Sequence, residues 1–179
     1  MTLHLASTET GAGPPVVILH GLFGSARNWQ GIARRLATDH CVYAVDLRNH
    51  GSSPWDESMS YADMAEDVAA FIVDRKLGSA TVIGHSMGGK AAMVLALTRP
   101  ELIARLVAVD IAPVTYPHDR FAGLVNALTA LDLSRIQRRA EADQRLTAAV
   151  SDAVTRHFLL QNLVERDGRF AWRINFAAI

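Results

Sequence analysis

Short apolar runs alternate with segments of helical period through the first 110 residues, and few folds accommodate such an alternation. A continuous apolar run of about five residues is typical of a strand that is buried on both faces in a parallel sheet. Apolar residues spaced three or four apart are typical of a helix that packs on such a sheet. The order β-α-β-α-β-α-β therefore predicts an α/β fold, with a mostly parallel sheet and helices on both of its faces. The buried strands are predicted at VVILH (16–20), CVYAV (41–45), TVIG (81–84) and LVAVD (106–110).

Helix and edge-strand signals complete this part of the chain. Ser60 followed by Asp63 predicts a helix start, because a serine side chain can accept a hydrogen bond from the backbone N–H three positions later. A further helix is predicted over residues 88–99, where Pro100 stops it. The segment TLHLA (2–6) alternates apolar and polar residues, which indicates an edge strand.

The character of the sequence changes after Pro113. Residues 119–165 are rich in Ala, Leu, Arg and Asp, and their pattern predicts helices without any strand. We therefore predict two parts, namely the N-terminal part of an α/β core at 1–112 and a helical cap segment at 113–179. Strand signals have not resumed by Ile179, so the predicted sheet looks unfinished.

Composition excludes several classes of protein. The 18 basic and 18 acidic side chains balance, so no net charge favours binding to nucleic acid or to an anionic membrane. Cys41 is the only cysteine, which rules out an internal disulfide and indicates a reducing compartment. The N-terminus lacks the layout of a signal peptide, and no apolar run approaches the ~18 residues that a membrane span requires. These features predict a cytoplasmic protein that neither binds nucleic acid nor crosses a membrane.

The segment TVIGHSMGGKAAM (81–93) fits two different motifs. Residues 84–90 match the start of a phosphate-binding loop, but such a loop needs a hydroxyl directly after its lysine to hold Mg²⁺, and Ala91 follows here. The same letters contain G-x-S-x-G centred on Ser86, between a predicted strand and a predicted helix. This is the context of a turn that exposes a nucleophilic serine. We therefore predict Ser86 as a nucleophile, with a tight turn that carries a structural serine as the alternative.

A second segment, HGLFGS, supplies groups that acyl transfer requires. Backbone N–H groups must face the point where negative charge develops on the carbonyl oxygen of the substrate. One such donor is expected from Met87, directly after the serine, and the other from Leu22, with Phe23 as the neighbouring candidate. The glycines of HGLFGS would let this loop approach the serine. Phe23 and His85 are also predicted to bind substrate.

The segments HGLFGS, DLRNHGSSP and GHSMGG, at these separations, resemble the α/β-hydrolase superfamily. The later segments LVAVDIAPVTY, FLLQNL and WRIN make nearly the whole chain similar to small bacterial carboxylesterases that have a mitochondrial relative. The resemblance implies an α/β-hydrolase fold and cleavage of carboxylic esters, or of acyl thioesters, through an acyl-enzyme on the serine. It also implies a helical cap that shapes the acyl pocket, a small-molecule acyl ester as substrate, and no metal or organic cofactor.

A serine nucleophile also needs a base, and the base needs an acid that holds it. Asp110 ends the strand LVAVD at the carboxyl edge of the sheet, and in the resembled esterases an aspartate at this place can serve as the acid. Alternatively, Asp110 only caps the strand end through backbone N–H groups; many family members place their acid after the following strand, which this chain lacks. Asp46 and Arg48, which follow another strand end, are predicted to brace their loop as an ion pair.

None of the seven histidines fits the place of the catalytic base. In the resembled family this histidine follows the last strand, beyond the cap, and His118 is the least unsuitable substitute within the chain. We expect the 179 residues to be part of a longer enzyme, because a sheet without its last strands leaves an apolar edge unpaired. A genuine short form that cannot complete the triad, or a second copy that donates the missing edge in a homodimer, are the alternatives.

Two other functions would use the same residues. A cofactor-free perhydrolase or acyltransferase would employ the same serine, with peroxide or an alcohol as acceptor in place of water. A non-catalytic binding protein would keep the pocket without turnover if the triad histidine is absent. Reaction with an organophosphonate probe separates an enzyme from a binding protein, because only an activated serine is labelled.

Overall fold

The computed structural model describes residues 1–116 and 121–179. They form two compact units, one of Met1–Pro113 together with Ala178, and the other of Val114–Ala177 together with Ile179. The first unit contains a five-stranded sheet of β1 (Ser7–Thr10), β2 (Pro15–Leu19), β3 (Cys41–Val45), β4 (Ala80–His85) and β5 (Ile103–Val109). Its helices are α1 (Gln30–Leu36), α2 (Tyr61–Asp74) and α3 (Met87–Thr98).

The sheet has the strand order β1-β3-β2-β4-β5. The β1 strand pairs antiparallel with β3, and all the other neighbouring strands are parallel. The carboxyl ends of the parallel strands therefore meet at one edge, which is where sites form in open α/β sheets. The mostly parallel sheet predicted from the alternating sequence pattern is confirmed.

Burial of both faces of the sheet explains the continuous apolar runs. Val17 and Leu19 of β2 belong to a core cluster with residues of α2 and α3, whereas Val16 and Ile18 belong to a second cluster that includes Ala33 of α1. Successive side chains of a strand point to opposite faces, so each position of a strand covered on both sides must be apolar. These four residues of β2 are at most 3% exposed.

Helix α2 begins where the sequence predicts. The Ser60 hydroxyl accepts a hydrogen bond from the Asp63 N–H at 3.1 Å, which satisfies one of the donors that the first turn of a helix leaves unpaired. Met64, Val68 and Ile72 lie on one face of the helix and are at most 1% exposed. Burial of each such side chain stabilises the fold by about 1.5–3 kcal/mol, so this face holds α2 on the sheet.

The edge strand lies further along the chain than predicted. Residues 2–6 form no strand, and β1 begins only after them. The Leu3 N–H donates to the Asp67 carboxylate at 2.7 Å, and the Ala6 N–H donates to the Ser53 hydroxyl at 2.9 Å. Side chains from distant parts of the sequence thus take two of the backbone donors that a strand would offer to its neighbour.

The described residues of the second unit contain three α-helices and one hairpin. The helices agree with the sequence pattern, but the hairpin contradicts the prediction that residues 119–165 contain no strand and that none follows before residue 179. Its turn, Asp167-Gly168, has φ values of 51° and 73°, the left-handed pair that a two-residue hairpin turn requires. An Asp-Gly dipeptide is a hairpin signal, and it would have located these strands. The elements are α4 (Ala122–Thr129), α5 (Arg139–Leu146), α6 (Ala153–Leu160), β6 (Leu163–Arg166) and β7 (Arg169–Trp172).

The strand β5 lies at one end of the sheet. Among residues 1–116 and 121–179, no strand pairs with the side of β5 that faces away from β4. Leu106 and Val107, on its two faces, are 38% and 42% exposed. The described part of the chain therefore presents the unpaired apolar edge that the sequence predicts.

Candidate active site

Ser86 occupies a sharp bend at the carboxyl edge of the sheet. It is the single residue between His85, which ends β4, and Met87, which begins α3. Its φ of 49° and ψ of −114° lie in a region that costs a residue with a side chain about 1–3 kcal/mol. Its N–H donates to the Val109 carbonyl at 3.0 Å, and its carbonyl accepts from the Lys90 N–H at 3.1 Å. The neighbouring strand and helix together hold the bend.

Glycines on both sides of Ser86 allow this bend to form. A Cβ atom on Gly88 would lie 2.6 Å from the His20 carbonyl oxygen and 2.7 Å from the Leu19 carbonyl oxygen. A Cβ atom on Gly84 would collide with the Gly88 carbonyl. Side chains at these two positions would push α3 away from β2 and β4, so close backbone packing requires both glycines of the motif.

The loop of residues 20–25, which we call the HG loop, lies beside Ser86. A Cβ atom built on Gly21 would be 3.4 Å from the Ser86 Cβ atom and 2.7 Å from Nδ1 of His85. Phe23 in this loop is buried and has a φ of 62°, which is uncommon for an aromatic residue. The structure thus brings together the two segments that the sequence assigns to one site.

Two backbone N–H groups close to Ser86 have no acceptor of their own. Within residues 1–116 and 121–179, neither the Leu22 N–H nor the Met87 N–H donates a hydrogen bond. The Met87 N–H belongs to the first turn of α3, where helix geometry leaves donors unpaired and the helix dipole favours negative charge. Both groups are therefore available to an anionic oxygen.

Asp110 directly follows β5, with a φ of 53° and a side chain that is 89% exposed. The register pairs His85 with Val109, so Asp110 stands one position further along, beside Ser86. Its Oδ2 atom is 3.9 Å from Nε2 of His85, which is longer than a hydrogen bond. In the described part of the chain no backbone N–H donates to this carboxylate, so the alternative role of Asp110 as a strand-end cap has no hydrogen bond to support it.

The ring of His85 contacts a residue that the sequence pattern did not assign to the site. Its centroid lies 6.2 Å from the ring centroid of Trp29, with the two planes tilted by 55°. The His85 side chain is 38% exposed, so one part of the ring packs and another part faces outward. No spacing rule relates these two positions, because they meet only when the turn after β2 and the end of β4 are folded together.

The described histidines near the candidate site do not pair with the serine. Within residues 1–116 and 121–179, no histidine forms a hydrogen bond with the Ser86 hydroxyl. His118, the substitute base considered from the sequence, lies outside the described residues. His20 is 1% exposed and binds backbone groups with both ring nitrogens.

His50 is also buried, close to the HG loop. Its Nδ1–H donates to the Arg48 carbonyl at 2.9 Å, whereas Nε2 has no hydrogen-bond partner within the described residues. The rings of His50 and His20 are 5.1 Å apart. Burial, followed by the proximity of His20, lowers the pKa of His50 to about 3. His50 is therefore neutral near pH 7, and its low pKa makes it a weak base.

Asp46 and Arg48 do not pair with each other, contrary to the prediction. The Arg48 guanidinium donates two hydrogen bonds to the Asp67 carboxylate, at 2.7 and 2.9 Å, and these side chains are 1% and 0% exposed. Asp46 instead accepts from the backbone N–H groups of Ala26 at 2.6 Å and Ser52 at 2.8 Å. The prediction failed because α2 supplies the partner of Arg48 from a distant part of the sequence.

The described residues contain no group of three or more His, Cys, Asp or Glu side chains that could hold a metal ion. None of the helices among them is long and apolar enough to cross a membrane. The groups that the structure brings to the carboxyl edge of the sheet are the Ser86 hydroxyl, the Asp110 carboxylate and the two backbone N–H donors.

Comparison with known proteins gives matches in sequence and in structure. The family model described as alpha/beta hydrolase fold matches residues 14–175. The solved structure of a marine microorganism esterase is similar with a TM-score of 0.96 and 38% sequence identity. That match covers 99% of this chain and 70% of the solved one.

Two curated relatives are similar over most of the chain. The sn-1-specific diacylglycerol lipase ABHD11 of Xenopus laevis is 44% identical over 174 residues, which cover 93% of this chain and 56% of that protein. Esterase YbfF of Escherichia coli (strain K12) is 41% identical over 156 residues, which cover 87% of this chain and 61% of that protein. The chain thus spans a little over half the length of these curated relatives.

Proposed function

The chain belongs to the α/β-hydrolase family, and on this premise we propose that it hydrolyses carboxylic esters through an acyl-enzyme on Ser86. The predicted fold class is confirmed by the family match and by the similar solved structure. That structure and the bacterial relative are both named esterases, which supports the reaction class. The observation that carries the proposal is the Ser86 bend, which lies beside two backbone N–H groups without acceptors.

In the proposed reaction, the Ser86 Oγ atom attacks the acyl carbonyl carbon while a general base takes the hydroxyl proton. Negative charge develops on the carbonyl oxygen, to which the Leu22 and Met87 N–H groups donate hydrogen bonds. Collapse of the tetrahedral intermediate expels the alcohol, which takes the proton from the base. Water then attacks the acyl-enzyme, releases the carboxylic acid and restores the serine hydroxyl.

We assign the acid of the triad to Asp110 and place the base outside residues 1–179. The position of Asp110 beside Ser86 supports this assignment, and its exposed carboxylate is accessible to an imidazole. Phe23 and His85 are proposed to contact substrate, because both belong to the segments that border the bend. The division into a hydrolase core at 1–112 and a helical cap segment at 113–179 is part of the same proposal.

The proposed substrates are small acyl esters. The Xenopus laevis relative is named as an sn-1-specific diacylglycerol lipase, so acylglycerols are the first natural esters to test. An acyl thioester belongs in the same panel, since its carbonyl carbon accepts the same attack by serine. The ratios of kcat/KM across this panel measure the preference for acyl and leaving groups.

Labelling of the full-length gene product with a fluorophosphonate tests the proposal. We expect covalent modification at Ser86, located by mass spectrometry, and loss of ester hydrolysis in proportion to labelling. Ser86→Ala should be unlabelled and inactive, whereas Ser151→Ala, at an exposed serine of the second unit, should react like the wild type.

A folded wild type that is neither labelled nor active would contradict the proposal and favour a binding protein. Faster product formation with peroxide or an alcohol than with water would instead favour an acyl transferase on the same serine.

A further inference from the structure

The His85 ring has two neighbours that hold it at the carboxyl edge of the sheet. Gly21 leaves room for the ring, since a Cβ atom there would lie 2.7 Å from Nδ1 and 3.1 Å from Cε1 of His85. The indole ring of Trp29 packs against it, with the two centroids 6.2 Å apart. Within residues 1–116 and 121–179, the His85 side chain forms no hydrogen bond, and its one ionic contact is with Asp110.

The contact between His85 and Asp110 depends on the backbone at the end of β5. His85 pairs with Val109, so a strand continued by one residue would point the Asp110 side chain to the opposite face of the sheet from His85. The φ of 53° at Asp110 departs from strand geometry, and its Oδ2 atom instead lies 3.9 Å from Nε2 of His85. Backbone strain of this kind clusters at functional sites.

Asp110 has little support for the role of a triad acid. In a serine triad, one oxygen of the acid accepts a hydrogen bond from Nδ1–H of the base and holds its ring in place. The Asp110 side chain is 89% exposed, and in the described part of the chain it forms no hydrogen bond and no ion pair besides the contact with His85. A carboxylate that no donor holds keeps its rotamer freedom, and ordering it against the base then costs free energy.

We propose that His85 is a positioning residue that orients the Asp110 carboxylate for the catalytic base. Nε2 is a donor when the neutral ring carries its proton there, and also when the ring is protonated. A hydrogen bond from Nε2–H to Oδ2 leaves Oδ1 for the base. Hydrogen bonds of catalytic groups are often long without substrate and shorten in the complex, so the 3.9 Å separation is close enough for this bond to form.

The inference rests on the proposed function, because it requires Asp110 to be the acid of the triad. It also gives the His85 ring a second task besides the proposed contact with substrate. The two tasks affect different kinetic constants. Loss of a substrate contact raises KM, whereas loss of orientation in the acid lowers kcat.

Two substitutions in the full-length protein separate the donor of His85 from its ring. His85→Phe keeps an aromatic ring that can pack against Trp29 but has no N–H group. His85→Gln loses the ring and keeps an N–H group that reaches the place of Nε2. Both variants are assayed for kcat and KM with an activated ester. Asp110→Ala, alone and combined with His85→Phe, completes a double-mutant cycle.

We expect His85→Phe to lower kcat about three- to tenfold, since a hydrogen bond to an exposed charge contributes less than one to a buried charge. KM should change less than about twofold. His85→Gln should keep kcat within about twofold of the wild type, because the donor is retained. Without the carboxylate the donor has nothing to orient, so His85→Phe should change the kcat of Asp110→Ala less than about 1.5-fold.

His40→Phe is the matched control, because it removes another contact between a histidine and an aspartate. Nδ1 of His40 lies 3.1 Å from Oδ1 of Asp39, and His40 directly precedes β3, at the amino edge of the sheet. The side chains of His40 and His85 are similarly exposed, at 31% and 38%. His40→Phe should have the kcat and KM of the wild type.

A wild-type kcat in His85→Phe would overturn the role of His85. A rise in KM without a loss of kcat would leave only the substrate contact, and an equal loss of kcat with and without the Asp110 carboxylate would show that His85 does not act through Asp110. An inactive wild type, or an unimpaired Asp110→Ala, would contradict the proposed function itself. An active wild type that needs Asp110 but tolerates His85→Phe would contradict only the role of His85.

Discussion

Three residues of the candidate site have an unusual backbone conformation. Ser86, Phe23 and Asp110 all have positive φ values, which are uncommon for residues other than glycine. Such backbone strain persists only where the surrounding structure holds it, and it often marks a functional site. Around Ser86 the two glycines of the motif permit the packing that holds the bend.

Gly88→Ala and Gly31→Ala should have opposite effects on stability. At Gly88 a Cβ atom would lie 2.6 Å from the His20 carbonyl oxygen, whereas at Gly31 in α1 it would meet no atom within 4 Å. We expect Gly88→Ala to lower the free energy of unfolding by about 1–3 kcal/mol through overpacking. Gly31→Ala should raise it by about 0.5–1 kcal/mol, because alanine favours a helix. Urea denaturation measures both, and a neutral Gly88→Ala would contradict the close contact of α3 with β2.

Stability should also fall as the pH drops below 6.5, because of His50. The fold lowers the pKa of His50 from 6.5 to about 3, mainly through burial. Between these two values the unfolded chain binds more protons than the folded one, so acid favours unfolding by up to about 1.4 kcal/mol per pH unit. Above pH 6.5 this contribution is fully present, and it is lost progressively as the pH falls toward 3.

Urea denaturation from about pH 7 to about pH 4 measures this dependence. His50→Asn, which keeps a donor at the place of Nδ1, should flatten the slope. His4→Asn, at a histidine whose side chain is 95% exposed, should leave the slope unchanged. An equal slope in His50→Asn and wild type would show that other groups cause the acid sensitivity.

Among the secondary-structure elements, β5 differs from the other parallel strands in its surroundings. The β2, β3 and β4 strands each have a neighbour on both sides, whereas β5 pairs only with β4 in the described residues. An exposed apolar edge strand offers unpaired backbone groups to other chains. A polypeptide limited to residues 1–179 should therefore self-associate through β5.

Val107→Lys should reduce this self-association, because a charged side chain on an edge strand disfavours pairing with another chain. Leu97→Lys is the matched control, since it adds the same charge at a residue that is 84% exposed and belongs to helix α3 instead of the edge strand. Sedimentation velocity over about a tenfold range of concentration measures the change. An equal effect of both substitutions would assign it to net charge instead of to the β5 edge.

At the scale of the whole molecule, the chain belongs to its family over residues 14–175, yet spans a little over half the length of its curated relatives. The structure brings the proposed nucleophile, oxyanion donors and acid to one edge of the sheet. The proposed base is missing from this set, because no described histidine forms a hydrogen bond with the Ser86 hydroxyl.

A polypeptide that ends at Ile179 should therefore hydrolyse an activated ester at least about 1,000-fold more slowly than the full-length gene product, because loss of the base removes most of the catalysis by a triad. Ser86→Ala in the short polypeptide should cost little more, since the triad acts as a unit. Steady-state hydrolysis rates measure both effects. If residues 1–179 alone show full turnover that depends on Ser86, the base does not lie outside them. His118→Ala would then test whether His118 is the base.

Local patterns determined the parallel sheet, the start of α2, the Ser86 bend and the proximity of the HG loop, because apolar periodicity and turn glycines act between near neighbours in sequence. The hairpin was also readable from Asp167-Gly168, although the sequence interpretation missed it. Only the tertiary structure decided the place of β1, the partners of Arg48 and Asp46, the contact of Trp29 with His85 and the backbone partners of His20. In each case the contacting group comes from a distant part of the sequence. Tertiary packing, and not spacing along the chain, determines which donor or ring meets the buried group.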